Sequence, residues 1–252
     1  VERPTSVAGV TLSFVGAGDA FGSGGRLQTC IHVGDGTEEL LLDCGATSLV
    51  GLKRLGFDPE QIGHIVVSHL HGDHFGGIPF FVLDGQFSRR KRPLVIAGPR
   101  GIRARVLAAM EVLFPGSSTA DRRFTIDFVE LDERVATAVG PATVTAYEVE
   151  HACGAPPFAL SVDFAGRRVA YSGDTEWTEV LVEVARGADL FICEAYFFEK
   201  KIRYHLDYAT LRANVSRLDA KRVVITHMNR DLLNHLPEVD LECAEDGLAL
   251  MV

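Results

Sequence analysis

Four side chains of the kinds that bind metals fall within six residues, His69-Leu-His-Gly-Asp-His74, directly after the short apolar run 65–67. A buried strand followed by so many polar groups fits a loop at the end of a sheet. There, side chains converge on a point instead of alternating between faces. Neutral imidazole and carboxylate suit zinc and other first-row divalent ions, and groups of this kind have little reason to converge without a cation. The chain must therefore fold so that strand ends open along one edge. Further apolar runs bounded by glycine or turn residues supply strands at 10–15, 40–42, 94–97, 143–149, 160–164, 169–171, 190–193 and 223–226.

The run 158–164 joins 169–171 through Ala165-Gly166, and with the alternating stretch 143–149 this predicts an antiparallel meander. Leu49, Leu52 and Leu55 share a helical face. So do Tyr208, Leu211, Val215 and Leu218, which follow an Asp207 suited to cap a helix. The segment 114–125, with Pro115-Gly116-Ser117-Ser118, reads as a loop, which leaves 1–252 as a single domain. His64-Ile-Val-Val-Ser-His69 echoes Arg222-Val-Val-Ile-Thr-His227, as two βα halves meeting at their strand ends would; chance similarity of buried strands is the competing reading.

At 252 residues, 47% of them hydrophobic, the chain can bury a substantial core, which excludes intrinsic disorder; no apolar run is long enough to span a membrane, and no membrane association is expected. Lys and Arg number 25 against 34 Asp and Glu, a formal charge of -9, so a long polyanion needs a local basic patch to stay bound. Long nucleic acid is accordingly not expected as a partner. The dense basic run Arg89-Arg-Lys-Arg92 reads as a solvated turn. Five well-separated cysteines without a C-x-x-C pair point to a reducing compartment. The opening VERPTSVAGVTLSF has no leader pattern, and a cytoplasmic location is expected.

The histidine cluster resembles the signature of the metallo-β-lactamase fold superfamily, H-x-H-x-D-H followed by a lone His, an Asp and a final His. His151 follows the strand 143–149, Asp174 sits in Tyr171-Ser-Gly-Asp-Thr175, and His227 ends the strand 223–226. Asp43 in Leu42-Asp-Cys-Gly45 and the opening Val15-Gly-Ala-Gly-Asp19 extend the resemblance over most of the chain. It implies an α/β fold, a four-layer αβ/βα sandwich with two mixed β-sheets. It also implies two divalent ions, zinc in the first place and Mn2+ or Fe2+ as alternatives. His69, His71 and His151 would hold one ion, and Asp73, His74 and His227 the other. Asp174 would bridge them, and Asp43 would orient a ligand from beside the site. Two such ions, about 3.5–4 Å apart, hold a bridging hydroxide and polarise the scissile group. Asp73 counts among the catalytic residues through its place in this centre, and a homodimer is a further implication of the resemblance.

Glu194 ends the strand 190–193, and His205 opens His205-Leu-Asp207. This order is similar to the ribonuclease Z-like branch, in which a histidine supported by a carboxylate protonates the leaving oxygen of a phosphodiester. Two departures bear on the substrate. Leu206-Asp207 stands where the tRNA-processing enzymes carry small hydroxyl residues. His151 and Asp174 are only 23 positions apart, leaving no room for the long arm that those enzymes insert there. The resemblance then implies an arm-free, metal-dependent phosphodiesterase acting on a small phosphodiester, a class that includes cyclic phosphates and cyclic nucleotides. Hydrolysis of a lactone, thioester or other ester or amide is the alternative, in which Tyr196 or Tyr204 takes part; a metal-binding scaffold without turnover is the second.

Overall fold

The computed structural model describes residues 9–252; the first eight residues of the segment read for a leader lie outside the described residues. Six strands come first: β1 (Thr11–Gly16), β2 (Cys30–Gly34), β3 (Glu39–Leu42), β4 (Ile62–Val66), β5 (Leu94–Gly98) and β6 (Ile126–Glu130). Then follow β7 (Ala136–Val139), β8 (Ala142–Glu148), β9 (Phe158–Phe164), β10 (Arg167–Tyr171), β11 (Leu190–Glu194), β12 (Val223–Thr226), β13 (Glu242–Cys243) and β14 (Ala249–Met251). The α-helices are α1 (Ser48–Arg54), α2 (Gly72–Phe75), α3 (Ile78–Phe87), α4 (Ile102–Leu113), α5 (Val180–Val184), α6 (Tyr208–Asn214) and α7 (Arg230–Asn234). Among the described residues no helix is long and apolar enough to cross a membrane.

The strands form two seven-stranded sheets, β14-β1-β2-β3-β4-β5-β6 and β13-β12-β11-β10-β9-β8-β7. Each sheet is antiparallel on one side and parallel on the other, the change falling at β3 in the first and at β10 in the second. Leu12, Phe14, Ile31, Val33, Leu40 and Leu42 meet Val144, Leu160, Val162, Val169 and Ile192 in a core between the sheets. The outer face of the first sheet, with Leu41, Ile65 and Ile96, packs on Leu52 of α1, Phe81 and Val82 of α3, and Val106 and Met110 of α4. Phe191, Cys193 and Ile225 do the same for the second sheet against Leu181 of α5, Leu211 of α6 and Leu232 of α7. This is the four-layer αβ/βα sandwich that the resemblance implies. Because the central strands are covered on both faces, they appear in the sequence as unbroken apolar runs, as parallel strands do.

The meander also follows the sequence: β8, β9 and β10 pair antiparallel. Ala165 (φ 46°) and Gly166 (φ 78°) take the left-handed conformation that a two-residue hairpin turn requires. This hairpin occupies the interval between His151 and Asp174, where no arm intervenes. The Asp207 side chain caps α6 by accepting the Thr210 N–H at 2.8 Å, but α6 stops at Asn214, short of the face read through Leu218. The echo between 64–69 and 222–227 does not mark equivalent halves. Counted from the change of direction, β4 corresponds to β11 and β12 to β5. What the two share is an ending at the same edge of the sandwich.

Candidate metal centre

Loops following β3, β4, β8, β10, β11 and β12 carry Asp43, His69–His74, His151, Asp174, His205 and His227, with Glu194 at the end of β11 itself. Packing of backbone on backbone fixes the cluster loop. A Cβ on Gly45 would lie 2.2 Å from the Asp73 carbonyl oxygen, and one on Gly77 would lie 2.1 Å from that of Gly45. Only glycine permits this approach, and it seats α2, bearing Asp73 and His74, directly against the chain after β3. The Cys44 N–H donates to the His74 carbonyl at 2.6 Å, and the Gly77 N–H to that of Cys44 at 2.8 Å.

The outward hydrogen bonds of the rings assign their tautomers. Ser68 gives its hydroxyl proton to Asp43 Oδ2 (2.8 Å), so His69 Nδ1–H donates to Ser68 Oγ at 3.1 Å. His74 Nδ1–H donates to Asp43 Oδ2 at 2.7 Å, and His151 Nδ1–H to the Tyr204 carbonyl at 2.8 Å. His227 Nδ1 faces Thr29 Oγ1 at 3.4 Å. Each of these four rings thus turns Nε2 inward, whereas His71 brings Nδ1 to within 3.0 Å of His151 Nε2. Asp43 is completely buried and also accepts the Ser68 N–H (2.7 Å) and the Tyr171 hydroxyl (2.9 Å).

The inward atoms fall into two adjoining sets, His69–His71–His151 and Asp73–His74–Asp174–His227, with the atoms of each set within 4.8 Å of one another. Asp174 reaches toward both: its carboxylate lies 3.8 Å from His69 Nε2 and 3.3 Å from both His74 Nε2 and His227 Nε2. His69 Nε2, His74 Nε2 and Asp174 Oδ1 are buried without a hydrogen-bond partner. Buried polar atoms are nearly always satisfied, and three orphans aimed at one space fit a cation between them. The electrostatics agree. Burial, reinforced by neighbouring imidazoles, holds His69, His71 and His151 below their ordinary value and so in the neutral, ligating form. Burial also opposes charging of His74, but Asp174, Asp73 and Asp43 outweigh it and raise His74 well above its usual value. Asp73 and Asp174 resist the upward pull of burial because His74 and His227 lie beside them, and both are held low. A dense set of carboxylates and imidazoles of this kind suits divalent zinc, manganese or iron.

Beside this cluster His205 Nδ1 donates to Glu194 Oε2 at 3.0 Å and lies 4.0 Å from Asp174 Oδ2. Burial lowers the His205 value, but the charge and hydrogen bond of Glu194, with Asp174 behind it, carry it up to about 9. Glu194 is fully buried, raised by that burial, and held by the N–H of Thr175. The Tyr196 ring stacks on His205 with centroids 4.7 Å apart.

All the site residues read from the sequence therefore gather at one edge. Ser68, Thr175 and Tyr171 hold Asp43, His69 and Glu194 in place; Ser68 and Thr175 stand next to a cluster residue in the sequence, whereas Tyr171, three positions before Asp174, carries no such signal. Arg89–Arg92 lies at the opposite end of the strands and is not simply a solvated turn. Arg90 is buried and donates to the carbonyls of Pro59, Ile62, Arg92 and Pro93. His235 turns away, stacking on Phe198 with its Nδ1 on the Asp231 carbonyl.

The chain matches the family described as anti-Pycsar protein Apyc1 over residues 10–237. It is 28% identical over 244 residues to ribonuclease Z of Geobacillus kaustophilus, an alignment covering 75% of this chain and 77% of that protein. Among solved structures, the short form of human tRNase Z superposes with a TM-score of 0.77 at 24% identity, covering 95% of this chain and 98% of that one. The metallo-β-lactamase fold protein YhfI of Bacillus subtilis gives 0.77 at 18% identity, covering 97% and 100%.

These relatives overturn the expectation that long nucleic acid is no partner, since proteins named as ribonucleases align with most of the chain. The physical error lies in using a net charge of -9 for the site. Net charge is a sum over the whole surface, while binding depends on the potential near the cleft. Lys200, Lys201 and Arg203, between Glu194 and His205, stand on the loop that reaches the cluster.

Proposed function

This chain belongs to the family of the anti-Pycsar protein Apyc1, and from that membership we propose that it hydrolyses a phosphodiester with His205 as the acid that protonates the leaving oxygen. Its coarser nature is plain: it is a metal-dependent hydrolase of metallo-β-lactamase fold and ribonuclease Z-like character. The residues that would hold two cations are His69, His71 and His151 for one, Asp73, His74 and His227 for the other, and Asp174 for both, with zinc the first choice. Such ions, when bound, neutralise phosphoryl charge and lower the pKa of water to about 7, so that no side-chain nucleophile is required.

The chain's own groups do the remaining work. Asp43, Ser68, Thr29 and the Tyr204 carbonyl fix the rings so that their Nε2 atoms face inward. A departing alkoxide needs a proton. The single observation that carries the phosphodiester reading is the His205–Glu194 pair at 3.0 Å beside Asp174, with His205 raised to about 9 and so protonated at neutral pH. Tyr196, stacked on His205, restricts its rotation. A thioester, which departs as a weakly basic thiolate, does not call for so strongly supported an acid.

A small phosphodiester is the preferred substrate, supported by the hairpin that fills the 151–174 interval. The second reading, cleavage within RNA, is favoured by the ribonuclease Z relatives. The test is turnover of bis(p-nitrophenyl) phosphate, a short RNA and a simple lactone by metal-reconstituted protein. Phosphodiester turnover with little action on the lactone is expected. Lactone turnover alone would overturn the reading.

A further inference from the structure

After β1 the chain leaves its sheet at the edge where the metal ligands gather. The Ala17 carbonyl accepts the His227 N–H at 3.3 Å, Gly18 bridges to Met228, and Thr29, where the chain returns, faces His227. The loop between them, Asp19-Ala-Phe-Gly-Ser-Gly-Gly-Arg26, therefore flanks the His227 side of the centre. The Tyr196 ring lies 5.9 Å from that of His227 and 4.7 Å from that of His205, so the acid stands beside the same flank. Charge reports this proximity too. After burial, Asp19 does most to push the Tyr196 hydroxyl up to about 12.

The loop is firmly held. The buried Asp19 carboxylate accepts the Phe21 N–H (3.2 Å), the Ser23 N–H (2.8 Å) and the Ser23 hydroxyl (2.8 Å). Gln28 Nε2 donates to the Ala20 carbonyl at 3.0 Å while its Oε1 accepts the Ala46 N–H at 2.8 Å. Gly24 takes a left-handed φ of 68°, and a Cβ there would lie 2.8 Å from Leu233 Cδ1 on α7. The backbone around Phe21 is thus fixed, yet its ring is 84% exposed. A single exposed apolar side chain needs no explanation of its own. Place distinguishes this one. Phe87, the other aromatic ring among the exposed large apolar side chains of the described residues, ends α3 close to Arg90, which binds the Ile62 carbonyl at the opposite end of the strands.

We propose that Phe21 is the platform on which the base of a nucleoside phosphodiester stacks while its phosphate meets the metal-ligand cluster. This deepens the phosphodiester reading and rests on it. An aromatic face whose backbone is already fixed offers a large apolar contact to a flat ring. Phe21 then sets how strongly a substrate that carries a base is preferred over one that does not.

The discriminating substrates are adenosine 3′,5′-cyclic phosphate and methyl β-ribofuranoside 3′,5′-cyclic phosphate, which share the scissile ring and differ in whether C1′ carries adenine or a methoxy group. The metal-reconstituted parent should favour the first. Phe21→Ala should lose about 5–150-fold in kcat/KM on that compound, the range of one base–aromatic stack, mainly through KM. Its turnover of the baseless compound should stay as in the parent. Phe21→Trp should keep the preference, and Phe21→Leu, apolar but without a flat face, should not. Equal losses on both compounds, or none on either, would overturn the stack. A second measurement does not depend on turnover: tryptophan emission of a metal-replete His205→Ala/Trp177→Phe/Phe21→Trp protein, in which the chain's one native tryptophan is removed. The adenosine compound should quench it and the baseless compound should leave it unchanged; emission indifferent to both would overturn the stack. If the parent turns over neither compound nor bis(p-nitrophenyl) phosphate, the phosphodiester reading fails instead.

Discussion

Asp43→Asn should weaken metal binding without touching any atom that faces the metal cluster. Four donors converge on this buried carboxylate: the Ser68 N–H, the Ser68 hydroxyl, the Tyr171 hydroxyl and His74 Nδ1–H. An amide of the same shape keeps one accepting oxygen and turns an NH2 on the donors at the other position. If that oxygen serves the Ser68 N–H, the NH2 confronts His74 Nδ1–H. The hydroxyls can rotate to accept, but the imidazole can respond only by moving its proton to Nε2, the atom aimed into the cluster. Loss of one hydrogen bond to a charged group costs about 1.5–3 kcal/mol. At about 2–4 °C per kcal/mol for a domain of this size, the metal-free variant should melt roughly 3–12 °C below the parent. Loss of an outer partner of a ligating histidine typically weakens metal affinity about 10–100-fold. Chelator competition with zinc and thermal unfolding by circular dichroism measure the two effects separately. An Asp43→Asn protein with the parent's zinc affinity and melting temperature would refute the argument that Asp43 sets the His74 tautomer.

Other perturbations separate chemistry from scaffold. His205→Ala should lower phosphodiester turnover about 10²–10⁴-fold at unchanged metal content, the usual contribution of a positioned acid. Glu194→Gln removes the charge that does most to raise His205 against burial, so the high-pH limb of kcat, where the acid is lost, should move to lower pH. His64, in the middle of β4, is lowered chiefly by burial. The folded chain thus binds its proton less readily than the unfolded one, and the stability it contributes is present above the unfolded value of about 6.5 and lost as pH falls below it. Urea midpoints of parent and His64→Gln should therefore converge between pH 7.5 and 5. Gly45→Ala drives a methyl group into the Asp73 carbonyl, 2.2 Å away, and should cost both stability and metal, read by urea unfolding and zinc titration.

The strands around the site were legible because their residues are buried on both faces: 40–42 and 190–193 had no polar position to blur the pattern. β2 has no unbroken apolar run because His32 stands in its middle, where its Nε2 meets Glu39 of the neighbouring strand at 3.1 Å. β7, Ala136–Val139, is half exposed and built largely of alanine and threonine, so it too lacked an apolar signal. Helix α3, Ile78–Phe87, is apolar on nearly every side and has no 3.6-residue rhythm to detect. α4 was detectable, since Ile102, Val106 and Met110 recur at four-residue intervals on its buried face. At the site, spacing pointed to the side chains that face inward but not to those that hold them. Ser68 and the Tyr204 carbonyl gain their roles only when separate loops meet. The loop cations Lys200, Lys201 and Arg203 could have been found as a local basic run, and the whole-chain charge obscured them.

The most direct test of a two-cation centre is the metal count per chain, by native mass spectrometry with elemental analysis, for the zinc-reconstituted parent and three variants. The parent should hold two ions. His151→Ala and His227→Ala should each retain one, and Asp174→Asn should weaken both. A parent that binds a single ion, or His151→Ala and His227→Ala proteins that still bind two, would contradict the assignment of ligands on which the hydrolytic account stands.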